Sequence, residues 1–571
     1  MILVGNLGTV RMIWHGIMRL APNVDLAAST IIDRLRWTFQ GLGTFLSGAA
    51  LPFARGDWYW IPSRVYPNEP ITEFPLFTFL YADLHAHLID LPVTLLVLGC
   101  SIALVKSKWL FEFTSVRMKW LQAAMAVLIT SLAVGALKPT NTWDQPAYTI
   151  FICVVLFYSA YRYFQFPKNF LPAISSQGKR LGIAIIFAGI VYFLSHLIYL
   201  PFSQNFGTGY TAFDLWKGDR SPFWSYIVHW GLFLALIFSW MYWETHQWLS
   251  NTPVSALKKL EPYRVVLWAG AAAFVVVTVA LVMLDVSIAW LTLPMILWAG
   301  ILILRPDISD NKRLVLFMTG TGLLLTLVVE LVVLRGDIGR MNTVFKFYYQ
   351  AWTMLSLSAA ASLAWLLPEV NNRWKNGWRF AWQTGVVILT ASALLFTILA
   401  TADKVTDRIS ENIPSSLDGM TYMQVSTYND MGNILDLNAD YKAIRWMQDN
   451  VKGSPVIVEA NTTEYRWGSR YTIYTGLPGV VGWNWHQRQQ RTSVSSDWVT
   501  NRVAAVEQFY ATEDQQTTET FLQRYGVQYI IVGGLERSLY PATSLAKFET
   551  WNNDLWTEVY RDGYTVIYRV K

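Results

Sequence analysis

The chain has 571 residues, 53% of them hydrophobic and 15% charged, with 28 Trp, 28 Tyr, 30 Phe and a mean hydropathy of +0.30. That is too apolar for a soluble protein of this length, so the net charge of +6 reports orientation in a membrane rather than a nucleic-acid partner. Cys100 and Cys153 are the two cysteines, both in apolar runs, which excludes a disulfide framework and a thiolate metal site.

Residues 1–89 contain no full span. Shorter apolar pieces at 12–20 and 41–53 are interrupted by Arg34, Arg36, Arg55 and Arg64, and read as an interfacial or re-entrant extracytoplasmic segment. The stretch 71–90 then gathers Glu73, Asp83, His85, His87 and Asp90 at the mouth of the first clear span. Asp83, His85 and His87 alternate, so in extended backbone all three point one way and suit a shared divalent metal, Mg or Mn. On a helix only Asp83 and His87 align. The competing reading is that these side chains cap the helix and meet lipid headgroups.

Ten apolar runs long enough to cross a bilayer follow within 90–401, centred on 91–105, 120–137, 147–161, 181–201, 226–244, 265–284, 286–304, 314–334, 350–367 and 381–400. Alternate loops between them carry 17 Lys and Arg on one side and 6 on the other, which sets the basic loops in the cytoplasm and both chain ends outside. The stretches 71–90, 138–146, 202–225 and 335–349 then share the outer face. Within the runs, Glu330 is the one clear acid.

Residues 402–437 read as a linker. Residues 438–571 read as a small extracytoplasmic α/β domain, with helices at 441–450 and 517–525 and strands at 455–459, 527–532 and 565–569.

A reaction on the outer face, away from cytosolic nucleotides, needs a membrane-delivered donor, and a lipid-linked sugar supplies one. Such a transfer needs a carboxylate to deprotonate the acceptor hydroxyl, and cations or a metal to neutralise the departing phosphate. Glu73, Asp83 and Asp144 are the candidate catalytic carboxylates. Lys138, Asn141, Arg340, Asn342 and Lys346 are candidates for the phosphate and sugar. The alternatives are that Asn141 and Asp144 cap the helix beginning near Pro146, and that Arg340 and Lys346 snorkel to headgroups. In the outer domain Tyr465, Arg466, Trp467, Trp483, Trp485 and His486 set aromatic faces beside polar groups, as a sugar ring requires. The same residues also suit a core or a membrane-docking surface.

Four blocks together resemble the Chlor_Arch_YYY (YYY) family of prokaryotic multispan membrane proteins. They are Glu73-Phe-Pro-Leu-Phe with Asp83-Leu-His-Ala-His87, Lys138-Pro-Thr-Asn-Thr-Trp-Asp144, Arg340-Met-Asn-Thr-Val-Phe-Lys-Phe-Tyr-Tyr-Gln350, and the run from Glu464 to Gln490. That family is similar in layout to the GT-C integral-membrane glycosyltransferases. The resemblance implies a GT-C-like polytopic α-helical fold of about ten spans in the plasma membrane, using a polyprenyl-phosphate sugar outside the cytoplasm. It also implies further N-terminal spans and an acidic, tyrosine-rich loop with no counterpart before Gly5, so that a second polypeptide would supply them or the chain is a C-terminal portion. In that case Asp83, His85 and His87 assist the catalytic base. A flippase for lipid-linked saccharide and a non-catalytic, glycan-binding envelope assembly protein are the alternatives.

Overall fold

In lipid a backbone can satisfy its polar groups only within itself, and all ten apolar runs fold as helices. The computed structural model describes residues 1–26, 29–67, 70–82, 84–109, 116–166, 171–207, 212–409, 412–491 and 494–571. Two units emerge, one of residues 1–202 and 210–407, the other of 203–209 and 408–571.

The first unit opens with α1 (Gly8–Arg19) and α2 (Ile31–Leu46). A capping box starts α2: Thr30 Oγ1 accepts from the Asp33 amide at 3.2 Å, and the Thr30 amide donates to Asp33 Oδ2 at 3.1 Å. The two helices cross at Gly41, where an added Cβ would stand 1.8 Å from the Ile17 carbonyl oxygen. Residues 5–7 are stitched into the same unit, the Gly5 amide donating to Ala393 O at 3.2 Å and the Leu7 amide to Val228 O at 2.9 Å.

Short helices α3 (Asp57–Trp60) and α4 (Pro75–Tyr81) lead to the long ones. These are α5 (Ala86–Ser107), α6 (Val116–Thr140), α7 (Asp144–Tyr163) and α8 (Ser176–Leu197), then the short α9 (Leu200–Asn205). They continue with α10 (Phe223–Asn251), α11 (Arg264–Met283), α12 (Ala289–Leu304), α13 (Asp310–Val328), α14 (Met341–Arg373) and α15 (Asn376–Arg408). Strands β1 (Phe213–Leu215) and β2 (Val332–Leu334) pair antiparallel.

Among the described residues, α5, α6, α8, α10, α11, α14 and α15 are long and apolar enough to cross a membrane. The other three expected spans differ for visible reasons. Helix α12 has only 16 residues, and α7 and α13 open on charged turns with Asp144 and with Asp310, Lys312 and Arg313. Helix α14 is the hub, packed on α10 and α13, with Trp352 stacked on Phe74 at 4.9 Å and edge-on to Phe233 at 4.7 Å. Helix α11 buries almost nothing, and its exposed Val265, Trp268 and Val276 form a face that belongs in lipid.

Two sequence expectations need correction here. Glu330 lies just beyond α13, whereas Asp90 of α5 and Glu244 of α10 are buried acids inside spanning helices. The polar run 71–90 hides the start of α5 at Ala86, and with it the place of Asp90 inside the helix. Helix α15 also outlasts its apolar run, because the buried Lys404 ammonium sits over the Tyr59 ring at 4.3 Å and the Tyr81 ring at 4.8 Å.

In the second unit the expected linker holds a hairpin, β3 (Thr427–Asp430) and β4 (Asn433–Asp436), turned by Met431 and Gly432, both at positive φ. Then come α16 (Leu437–Asn450), β5 (Val456–Val458), α17 (Arg470–Thr475), α18 (Asn484–Gln490), α19 (Asp497–Ala511) and α20 (Gln515–Tyr525). The unit closes with β6 (Val527–Val532), α21 (Gly534–Leu539), β7 (Trp556–Asp562) and β8 (Thr565–Val570). The sheet runs β5-β6-β8-β7, with β5 and β6 parallel and the rest antiparallel. From Tyr529 to Val532 strand β6 is apolar without a break because both of its faces are covered there: Ile530 and Val532 enter one core, Tyr529 and Ile531 the other.

Candidate functional site

Helices α5, α7 and α14 begin at one end of the first unit, and their first turns carry the polar residues. His85 is the N-cap of α5 with ψ 152°, so His87 already lies in the helix. The His87 ring meets the edge of Phe345 at 4.6 Å and of Tyr349 at 4.9 Å, both on α14, and its Nε2 is 3.5 Å from Thr78 Oγ1. Asp144, the first residue of α7, is buried and accepts from Gln350 Nε2 at 2.6 Å, with the Asn141 side chain also on it. Asp90 lies within hydrogen-bonding reach of Asp144.

Lys346 is the cation of this mouth. Its ammonium stands 4.9 Å from the Trp143 ring centroid and within electrostatic range of Asp144, His87 and Asp337. Glu73 receives Arg64 Nη2 at 2.8 Å and lies near the Tyr349 hydroxyl, which in turn neighbours Thr78 and Asp144. Tyr349 therefore touches or neighbours every member of the group: Glu73, His87, Asp144 and, one turn along α14, Lys346.

Of the residues expected to form one site, Glu73, His87, Asn141, Asp144 and Lys346 come together. Lys138, half-buried in the last turn of α6, leads into the turn that carries Asn141. Asp83 lies outside the described residues. Arg340 does not join. It is buried, donating to Glu330 Oε1 at 2.7 Å, Ser221 Oγ at 3.0 Å and Val329 O at 3.1 Å, so its guanidinium is used internally. Asn342 is likewise engaged: its side-chain amide donates to Asp337 Oδ1 at 3.0 Å, and Asp337 also takes the Asn342 and Thr343 amides at the start of α14. That carboxylate does the capping that an arginine at the N-cap position cannot.

As a metal centre, His85 and His87 offer two ring nitrogens from rings 5.5 Å apart, and among the described residues no third His, Cys, Asp or Glu completes a cluster. Imidazole donors suit Mn better than Mg, which prefers oxygen.

Arg64, Tyr349, Gln350 and Asp90 are the members that residue-by-residue reading missed. Lys346, Tyr349 and Gln350 stand three and four apart on a helix, so the signal was present once α14 is extended back to Met341.

In the second unit the aromatic candidates separate by direction. Tyr465, exposed and held at φ 62°, meets the Trp483 ring at 6.1 Å, and Trp483 in turn meets His486 at 6.1 Å. Trp485 is exposed beneath the Arg488 guanidinium at 5.3 Å. Arg466 and Trp467 turn inward instead. Arg466 forks onto buried Asp430 at 2.7 and 2.5 Å, and Trp467 Nε1 donates to Asp440 Oδ2 at 2.8 Å. Beside them Arg470, 1% exposed, is ringed by Asp440, Glu459 and Glu536.

Residues 1–355, which include the whole mouth through Gln350, match the family described as uncharacterized membrane protein, DUF2298. Comparison with curated proteins returns no match.

Proposed function

We propose that this chain, which belongs to the DUF2298 family of membrane proteins, is a GT-C-like glycosyltransferase or the C-terminal portion of one, moving a sugar from a polyprenyl-phosphate carrier to an acceptor outside the cytoplasm. The observation that carries the reading is the grouping of a carboxylate, an arginine, an imidazole and an ammonium around Tyr349, at the end of the first unit where three helices begin. Glu73, the more open of the described carboxylates, takes the acceptor proton as the acceptor oxygen attacks the anomeric carbon. The bond from that carbon to the carrier phosphate breaks, and its electron pair leaves on a phosphate oxygen. Lys346, Arg64 and His87 meet that charge, and the proton passes to solvent.

The finer elements of the reading travel with it. These are the YYY naming, ten crossings of the plasma membrane, residues 438–571 on the outer side, and a lipid-linked sugar as the substrate partner. A Mn or Mg ion at Asp83, His85 and His87, and a second polypeptide bearing further spans, complete it. The exposed Tyr465, Trp485 and His486, with the half-buried Trp483, would then hold the acceptor glycan.

The test is release of polyprenyl phosphate from a labelled donor by purified full-length protein. Glu73→Gln and Lys346→Met each lower turnover by about a hundredfold or more. Turnover equal to wild type in both variants would falsify the proposal. A lipid-saccharide flippase is the second reading, favoured by buried Asp90 and Asp144 at helix ends. It requires movement of labelled donor across a proteoliposome bilayer with no polyprenyl phosphate released.

A further inference from the structure

Beneath the mouth, Asp90 and Asp144 set two buried carboxyls side by side, from α5 and α7. Asp144 is tied to Gln350 Nε2 at 2.6 Å and to Asn141. Asp90 is different. It is fully buried, and among the described residues no donor other than the neighbouring Asp144 carboxyl reaches either of its oxygens. Gln350, 3% exposed, adds a second orphan acceptor: its amide nitrogen is committed to Asp144 and to Trp143 O at 3.2 Å, while its Oε1 has no donor among the described residues.

Buried acceptors are almost always met by a donor, so two carboxyls set side by side are held together either by a proton shared between them or by a cation. The acceptors here are the two Asp90 oxygens, Asp144 and Gln350 Oε1. In addition, Pro92 has no amide, so the Leu88 carbonyl lacks its usual helical partner in the turn that carries Asp90. The set is all oxygen, which selects a hard cation over zinc or copper.

Charge chooses the valence. With both carboxyls ionised around a bound ion the pair would carry two negative charges, and Lys346, in electrostatic range of Asp144, returns one positive. One further positive charge neutralises the group. Backbone carbonyls freed from helical pairing are also among the groups by which membrane transporters bind sodium.

We propose that Asp90, Asp144 and Gln350 together bind one sodium ion between α5, α7 and α14. The site ties the starts of the three helices that form the mouth, so sodium stiffens this end of the bundle. The inference does not rest on the transferase reading, since a bound ion would persist in a flippase or in a protein without catalysis.

The experiment is a thermal melt of detergent-purified full-length protein in sodium chloride and in choline chloride at matched ionic strength. Sodium raises the Tm in a saturable way and choline does not. Gln350→Ala raises the half-saturating sodium concentration by at least tenfold, and Asp90→Asn removes the response. Asp90→Asn also melts higher than wild type in sodium-free buffer, because it discards an orphan charge, and this separates a lost site from a failed fold. Equal melting of wild type in sodium and choline overturns the proposal. So does stabilisation by magnesium or calcium where sodium has no effect, or stabilisation by acidification alone, which would mean a shared proton. Polyprenyl phosphate release is measured on the same preparations, so its absence beside an intact sodium response would remove the transferase reading alone.

Discussion

Replacing Arg470 with Met tests how the second unit is held together. The guanidinium donates to Asp440 Oδ2 at 2.8 Å through Nε and to Glu536 Oε2 at 2.8 Å through Nη2, and its Nη1 lies 3.6 Å from Glu459. Burial drives Glu536 up, but Arg470 and the Ala460 and Gly533 amides overcome it and leave that carboxyl below its ordinary range. Glu459 ends above its ordinary range, because burial outweighs the same arginine and the Tyr471 and Thr472 donors. With Met at position 470, three buried carboxyls share no cation, and removing one partner of a buried pair costs about 3–5 kcal/mol. For a unit of this size each kcal/mol moves the Tm by roughly 2–4 °C, so the full-length variant should lose order in residues 408–571 about 6–20 °C earlier. Hydrogen exchange of peptides from that unit, followed along a temperature series, reads the shift.

The pH dependence has a definite sign. In wild type the depressed Glu536 contributes stability that is present above its unfolded value and lost as the pH falls through its folded one. In the variant, burial without a cation raises the carboxyls, so they destabilise at neutral pH and less so on acidification. The gap between the two proteins therefore narrows from pH 7 to pH 5. Adding Glu536→Gln to Arg470→Met should recover at least about 1 kcal/mol. A variant within about 1 kcal/mol of wild type, or a gap that widens on acidification, would refute the reasoning.

Arg340 should behave as a structural residue rather than a phosphate ligand. Arg340→Met leaves Glu330 buried with Ser221 as its remaining hydrogen-bond partner among the described residues and costs about 3–5 kcal/mol in a detergent melt. Combining Arg340→Met with Glu330→Gln recovers more than half of the loss, and no recovery would place the role of Arg340 elsewhere. Gly41→Ala drives a methyl into the Ile17 carbonyl, a backbone atom that cannot swing aside. It costs about 1–3 kcal/mol, read as faster hydrogen exchange across residues 8–46, and unchanged exchange there would mean the α1–α2 crossing is looser than described.

What could be read from residues alone follows from where each residue's partners lie. The helices were legible because a long apolar run in lipid has one solution for its amides, and the strands at 456–458 and 527–532 because each holds a short run of apolar, mostly β-branched residues. Side-chain roles were not legible, because they depend on partners far along the chain. Tyr465 and Arg466 are neighbours with similar prospects on paper. Only the hairpin that brings Asp430 beneath Arg466 turns one inward and leaves the other out. Arg340 and Lys346 look equally exposed to phosphate until Glu330 and Ser221 engage the first, while the second faces Asp144 across α7.

Asp90 shows the same limit from the opposite direction. A helix start at Ala86 moves it from a loop to a buried turn, and in that turn its significance comes from Asp144 and Gln350, 54 and 260 positions away. A buried acid whose neighbour is another acid calls for an explanation that an internally paired arginine does not. By that criterion Asp90 ranks above Arg340, although Arg340 belongs to a longer block of resemblance.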